Sequence, residues 1–503
     1  MNAVMGRSPR SGTVRSMLMG VCVSVAVDAI GPATAAAQSN PIVIENMQPG
    51  TNAWELTKPG NDTTAHVKGY ASATSVNKGE TITFYVSVNT AQTYTIDVYR
   101  MGWYQGLGGR LMQHIGPLNG NPQPTCPTNA STGMIQCNWA PAYNLVTQTS
   151  WTSGIYLAVL KNAQGFHNYM IFAVRDDSRV AALLYQQPVT TYQAYNNYRD
   201  DTTTGKSLYE HNSSGANTLA GTVRAVKVSF DRPYAHEGAG LFLYLAEINF
   251  LRWIEKSGYD VTYSTNLDTH TNGSRLLSYR GFLSLPHDEY WSKPMYDATI
   301  AARDGGVNLG FFGANSVFWQ VRFEPSSSGV PNRVMVCYKD VNLDPITDPN
   351  LKTIKWRDGP VNRPEQALVG VQFTDGPNSG WAPYVVTNSG NWVYAGTGFR
   401  DGDSVPGIVG YEADRVVSGD PTPVAVSGTY VLLSRSPYTG SNNNPDYGNS
   451  SVYQALSGAW VFASGTMAWG WGLDNWYPEG SVSTVDARIQ RATKNVLDRF
   501  VGP

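Results

Sequence analysis

The hydrophobic pattern of this 503-residue chain changes at Arg175-Asp176-Asp177, and that change restricts the fold more than any other feature. Upstream, apolar residues come in short β-branched and aromatic runs. Thr81 to Val88 and Tyr94 to Tyr99 show partial period-two alternation, with Asn89-Thr90-Ala91-Gln92 between them as a turn. Gly154 to Leu160 and Tyr169 to Val174 read as another hairpin around Asn162 to Gly165. This spacing predicts a two-sheet, Ig-like β-sandwich over residues 38–176. Downstream, Val180 to Tyr185 is continuously apolar, as a strand covered on both faces is. Leu241 to Lys256 carries helix-period apolar residues, among them Leu245, Ile248, Leu251 and Trp253, and Gly258 closes it. Tyr259 to Tyr263, Gly281 to Leu285 and Asn308 to Gly313 are further strands, with a helix around Met295 to Ala302. Strands alternating with helices predict a parallel α/β sheet over residues 177–503, with β-rich insertions within 330–480. Ser457 to Trp469 reads as a strand pair or strand–turn, and Thr484 to Phe500 as a closing amphipathic helix. The fold class is therefore α/β plus all-β.

The amino terminus reads as a secretory leader over residues 1–37. Arg7, Arg10 and Arg15 precede a short apolar run from Met17 to Val27, and Ala35-Ala36-Ala37 forms a small-residue cleavage site before Gln38. The alternative is a disordered Ala-rich start. The apolar run is too short for a membrane span, so the expected location is secreted or periplasmic. In that compartment Cys126 and Cys137, flanking a Pro/Asn/Ser/Gly-rich segment, are the natural disulfide, and Cys337 in an apolar run is a buried thiol. Charged residues make up 15 % of the chain, with 36 Lys and Arg against 38 Asp and Glu. That balance lacks the basic excess of a nucleic-acid binder and the high charge of a disordered chain.

Several familiar chemistries are absent. There is no G-x-S-x-G elbow, and His236-Glu237 meets Gly240 where a zincin needs its second histidine. His287-x-Glu289 lacks the P-C-x-x-C half of a zinc deaminase. What remains lies at strand ends, where ligands bind in open α/β sheets. His287 and Glu289 follow the Gly281 to Leu285 strand and point the same way if the extended backbone continues; the competing reading has Glu289 or Ser292 simply capping the next helix. Asn315 lies beyond the following strand. Tyr192, Tyr195 and Tyr209 follow the first strand, and aromatic packing is the plain alternative for each.

The run Tyr99-Arg100-Met101-Gly102-Trp103-Tyr104-Gln105-Gly106-Leu107-Gly108-Gly109-Arg110 resembles a hallmark of the N,N-dimethylformamidase large-subunit family. Gln193-Ala194-Tyr195-Asn196, Ser207-Leu208-Tyr209, His287-Asp288-Glu289-Tyr290-Trp291-Ser292 and Gly313-Ala314-Asn315 do so in the same order, from about residue 75 to about residue 500. The resemblance implies a glutamine-amidotransferase-like fold without its cysteine nucleophile. It also implies a mononuclear ferric iron held by two tyrosines and a glutamate. Carried over by motif, Tyr209 and Glu289 are ligands, Tyr195 is the second tyrosine with Tyr192 as fallback, and His287 and Asn315 stand beside the metal.

The chemistry of that set is coherent. A free phenol ionises near pH 10, but a bound cation favours the phenolate, a hard anionic donor. Two phenolates and a carboxylate suit ferric iron better than zinc or copper(I). The reaction implied is attack of activated water on a small amide or formamide carbonyl, with His287 moving a proton to the departing amine and Asn315 hydrogen-bonding the oxyanion or orienting Glu289. The expected partner is a small-molecule amide; a homo-oligomer and a separate small subunit stay open. The runner-up is a non-catalytic exported protein that binds carbohydrate or envelope material on Trp469, Trp471 and Trp476. A glycosidase has no carboxylate pair that the sequence nominates.

Overall fold

A computed structural model describes residues 40–210, 213–476 and 484–502; the expected leader and His211 lie outside the described residues. Eight strands build the first part: β1 (Val67–Ala71), β2 (Ser75–Asn77), β3 (Thr81–Val88), β4 (Gln92–Met101), β5 (Gly109–Gly120), β6 (Tyr143–Val146), β7 (Gly154–Asn162) and β8 (His167–Arg175). They form two sheets, ordered β1-β3-β6 and β2-β8-β7-β4-β5. Alternate residues of both (Ile82, Phe84 and Val86 from one; Ile96, Val98, Tyr156, Ala158 and Phe172 from the other) share one apolar core. The β7–β8 hairpin forms as the alternation predicts. The Thr81 to Tyr99 segment does not: β3 pairs with β1 and β6, while β4 pairs with β5 and β7. Asn89-Thr90-Ala91 therefore carries the chain from one sheet to the other, because each strand finds its hydrogen-bond partners elsewhere.

The Tyr99 to Arg110 motif ties this sandwich to a short helix, α1 (Pro41–Asn46), and to a later one. Arg100 is fully buried and forks onto Glu255, with its Nη2 2.7 Å from Oε1 and its Nη1 3.0 Å from Oε2. Nη1 also reaches the Tyr104 hydroxyl, which donates to Glu45 at 2.8 Å, and Arg110 pairs with the same carboxylate. Tyr263 and Asn46 supply the remaining donors to Glu255.

Beyond Arg175 come β9 (Leu183–Gln187), α2 (Val189–Tyr195), β10 (Lys227–Ser229), α3 (Glu247–Lys256), β11 (Val261–Thr265) and α4 (Asn266–Asn272). They are followed by β12 (Gly281–Ser284), β13 (Tyr290–Ser292), α5 (Lys293–Asp304), β14 (Asn308–Phe311), β15 (Trp319–Glu324) and β16 (Val334–Val336). The central sheet runs β11-β9-β12-β14, then Trp460–Ala463, Ser451–Gln454 and Val431–Leu432. Its first five strands are parallel, and each of the last two pairs antiparallel with the strand before it. β9, β11 and β12 are buried at every residue, as strands covered on both faces are, and the apolar run Val180 to Tyr185 leads into β9. The architecture is thus mixed α/β with many sheets.

Two expected elements shift. The helix over Leu241 to Lys256 starts only at Glu247, because Ala246 adopts φ +64° and breaks the preceding turns. The Ser457 to Trp469 segment is the Trp460–Ala463 strand followed by a 3₁₀ turn over Met467–Gly472. The final helix spans Ala487–Val501, capped by the Asp486 side chain. Cys126 and Cys137 form a disulfide, and Cys337 is a buried free thiol. Among the described residues no helix is long and apolar enough to cross a membrane.

Candidate functional site

Three parallel strands deliver the candidate residues from their carboxyl ends. Leaving β9, the chain enters α2 after Pro188, and Tyr195 is the last residue of that helix. Leaving β12, it passes through Leu285 and Pro286 to His287, Asp288 and Glu289. Leaving β14, it reaches Asn315, which adopts φ +52°. Gly313 makes the last two exits compatible. A Cβ there would sit 1.7 Å from the Pro286 carbonyl oxygen, so only glycine lets these loops touch.

Asp288 locks the His287–Glu289 loop. Its carboxylate accepts from Gln186 (2.8 Å), Asn266 (2.8 Å) and Ser284 (2.9 Å), one donor from each of β9, α4 and β12. The Glu289 backbone N–H donates to Thr191 on α2 (3.0 Å), and its carbonyl accepts from Phe318 and Trp319. The two side chains that flank Asp288 are thereby turned into one space. Ser292, not Glu289, caps α5, accepting from the Met295 N–H.

In that space Tyr209 donates to Glu289, its hydroxyl 2.9 Å from each carboxylate oxygen. Tyr195 stacks on Tyr209 with ring centroids 4.2 Å apart. His287 Nε2 lies 3.3 Å from the Tyr195 hydroxyl and 3.3 Å from Glu289 Oε2. Tyr195, Tyr209, Glu289 and His287 therefore form one cluster. Tyr192, the fallback, lies outside it: it donates to Glu247, which also accepts from Tyr185 at 3.0 Å. Asn315 joins at one remove. Its backbone N–H donates to Asp414 (2.8 Å), and its buried Oδ1 has no partner among the described residues.

Three neighbours escaped the sequence reading. Glu412 faces the other edge of the imidazole, with Oε2 3.5 Å from His287 Nδ1. Tyr290 donates to the Tyr209 hydroxyl at 2.6 Å. Lys339, at φ +56°, places its ammonium 3.8 Å above the Tyr209 ring and 4.8 Å from that of Trp319. Tyr290 stood inside a quoted motif but was not singled out there. Lys339 and Glu412 lie 24 and 97 residues beyond Asn315, the last residue of any quoted motif, and carried no local signal.

The electrostatics follow from burial around one carboxylate. Burial and the Glu289 charge hold the Tyr195, Tyr209 and Tyr290 phenols well above their usual range. Burial alone would depress His287, but Glu412 and Glu289 outweigh it and raise its pKa to about 9. Burial raises Glu412 and lowers Lys339, the latter to about 8. Two phenols and a carboxylate with converging oxygens make a donor set for a hard cation, and the orphaned Asn315 Oδ1 beside it awaits an N–H donor. Among the described residues no group of three or more His, Cys, Asp or Glu is placed to hold a metal ion. This set draws two of its three donors from tyrosine.

The sequence profile described as "N,N-dimethylformamidase beta subunit-like, C-terminal" matches residues 95–481, more than half of the chain. The chain belongs to that family. No curated protein matches it. Among solved structures it aligns with a Paenibacillus sp. cycloisomaltooligosaccharide glucanotransferase complexed with cycloisomaltoheptaose, at 9 % identity and a TM-score of 0.18. That alignment covers 64 % of this chain and 62 % of the glucanotransferase, and at such a score it bears on neither fold nor function.

Proposed function

We propose that this protein is an exported amide hydrolase of the dimethylformamidase type, acting on a small amide or formamide through a mononuclear ferric ion held by Tyr195, Tyr209 and Glu289. The observation that carries the proposal is the convergence of those three side chains on one buried point at the strand ends, with His287 against it. When bound, the ion would supply a polarised amide carbonyl and a more acidic water.

The remaining roles belong to the chain. His287 holds a proton at neutral pH between Glu289 and Glu412, and Nε2 is the atom from which it passes to the departing amine. Asn315 Oδ1 is free to accept an N–H from substrate or product. Lys339 offsets the negative charge gathered on Tyr209 and Glu289. A glutamine-amidotransferase-like α/β part, an Ig-like sandwich, a leader over residues 1–37 and a small partner subunit, which the family's "beta subunit" description implies, complete the proposal. The carbohydrate-binding reading loses its platforms: Trp469 is buried, Trp476 packs on Trp54, and Trp471 packs on Trp381.

The test is metal content and visible absorption of the purified protein beside a Tyr209→Phe/Glu289→Gln double variant. About one iron per chain and a tyrosinate-to-iron band, both lost in the variant, are expected. A wild-type protein that stays colourless and metal-free after ferric loading refutes the assignment.

A further inference from the structure

Arg232 is the buried cation that the proposed chemistry leaves unused. It is 1 % exposed, and no carboxylate among the described residues pairs with it; the charged-state neighbours that act on it are the phenols of Tyr234 and Tyr198. Burial presses its pKa down to about 9. An unpaired guanidinium in the interior is costly to keep, so what it holds is informative.

It holds the two segments that carry the site tyrosines. Nε donates to Gln193 Oε1 (3.2 Å), and Nη2 donates to the Asn196 carbonyl (2.9 Å) and the Gln193 carbonyl (3.5 Å). Those residues flank Tyr195 at the end of α2. Nη1 donates to the Lys206 carbonyl (2.9 Å), just upstream of Tyr209. One rigid planar fork thus spans both tyrosine-bearing stretches, which also meet through the Leu208 N–H and the Ala194 carbonyl (2.9 Å).

We propose that Arg232 is the positioning residue that fixes the spacing of the Tyr195 and Tyr209 hydroxyls, and so tunes the site for a trivalent, oxygen-seeking cation. The cation half rests on the function proposed above. The geometry also explains why Gln193 and Asn196 bracket Tyr195: both supply acceptors to the same guanidinium. A lysine would keep the charge but present a point donor in place of a fork.

The experiment compares wild type, Arg232→Lys, Arg232→Gln and Gln193→Met, the last removing one acceptor and leaving the charge. Each full-chain protein is titrated with ferric ion, read by affinity and by the tyrosinate-to-iron band. Melting temperature and amide hydrogen exchange over residues 193–210 are measured on the metal-free protein. The expected result is a loss of ferric affinity of about 10- to 100-fold in Arg232→Lys, the range for outer partners of metal ligands. A displaced band, faster exchange in 193–210 and a near-wild-type melting temperature should accompany it. Variants that bind ferric ion as wild type does, with the same band, overturn the proposal. If wild type binds no iron while the variants still exchange faster in 193–210, the clamp stands and the iron reading falls. Should Arg232→Gln fail to fold, Gln193→Met decides: unchanged affinity, band and exchange there refute the clamp.

Discussion

Replacing Arg100 with Met should destabilise the protein strongly without touching the site chemistry. Arg100 and Glu255 are both fully buried and share two hydrogen bonds of 2.7 and 3.0 Å, and Arg100 also donates to Tyr104 and to the carbonyls of Met101, Thr152 and Ser153. Methionine fills part of the volume but strands the Glu255 carboxylate, leaving it with Asn46 and Tyr263 as donors. Breaking a buried pair from one side costs about 3–5 kcal/mol, most of it the penalty of the orphaned charge. With a urea slope of about 3 kcal/mol/M or more for a chain of this size, the midpoint should fall by roughly 1 M. The assay is equilibrium urea unfolding followed by fluorescence and circular dichroism, for Arg100→Met, Glu255→Met and the double variant. Because the double variant leaves no orphaned charge, it should be more stable than the sum of the single losses predicts, by about 2 kcal/mol or more. Strict additivity, or an Arg100→Met protein within about 1 kcal/mol of wild type, refutes the reasoning. Ferric uptake should be unchanged in whichever variants fold, since none of these contacts reaches Tyr195, Tyr209 or Glu289.

Two further outcomes follow from the site. His287 has its folded pKa raised from 6.5 to about 9, so it contributes stability that is full below pH 6.5 and lost as pH rises through about 9, worth up to about 3 kcal/mol. Melting of metal-free wild type should therefore decline more steeply over that window than melting of His287→Gln, and parallel curves would refute it. Gly313→Ala must push its Cβ into the Pro286 carbonyl, displacing the loop that carries His287 and Glu289. The variant should fold with normal far-ultraviolet dichroism yet lose most ferric binding, and full binding would show that the two loops are not mutually braced.

The sequence by itself determined the period of each segment and hence the layer plan. Alternation produced the sandwich strands, an apolar run the first buried parallel strand, and the strand-end rule pointed to His287, Glu289 and Asn315, which follow β12 and β14. The quoted motifs brought Tyr195 and Tyr209 to attention, although they could not separate Tyr195 from Tyr192, which are three residues apart on one helix. Only the tertiary structure sends the two side chains apart, turning Tyr192 onto Glu247 and Tyr195 onto Tyr209. It also decided that β3 and β4 sit in opposite sheets, because local alternation says nothing about which strand will be the hydrogen-bond partner. Glu412, Lys339 and Arg232 were invisible for the same reason. A single charged residue has no period, and its role is set by what the rest of the chain packs around it: a carboxylate against an imidazole edge, an ammonium over a phenol, a guanidinium between two backbone turns.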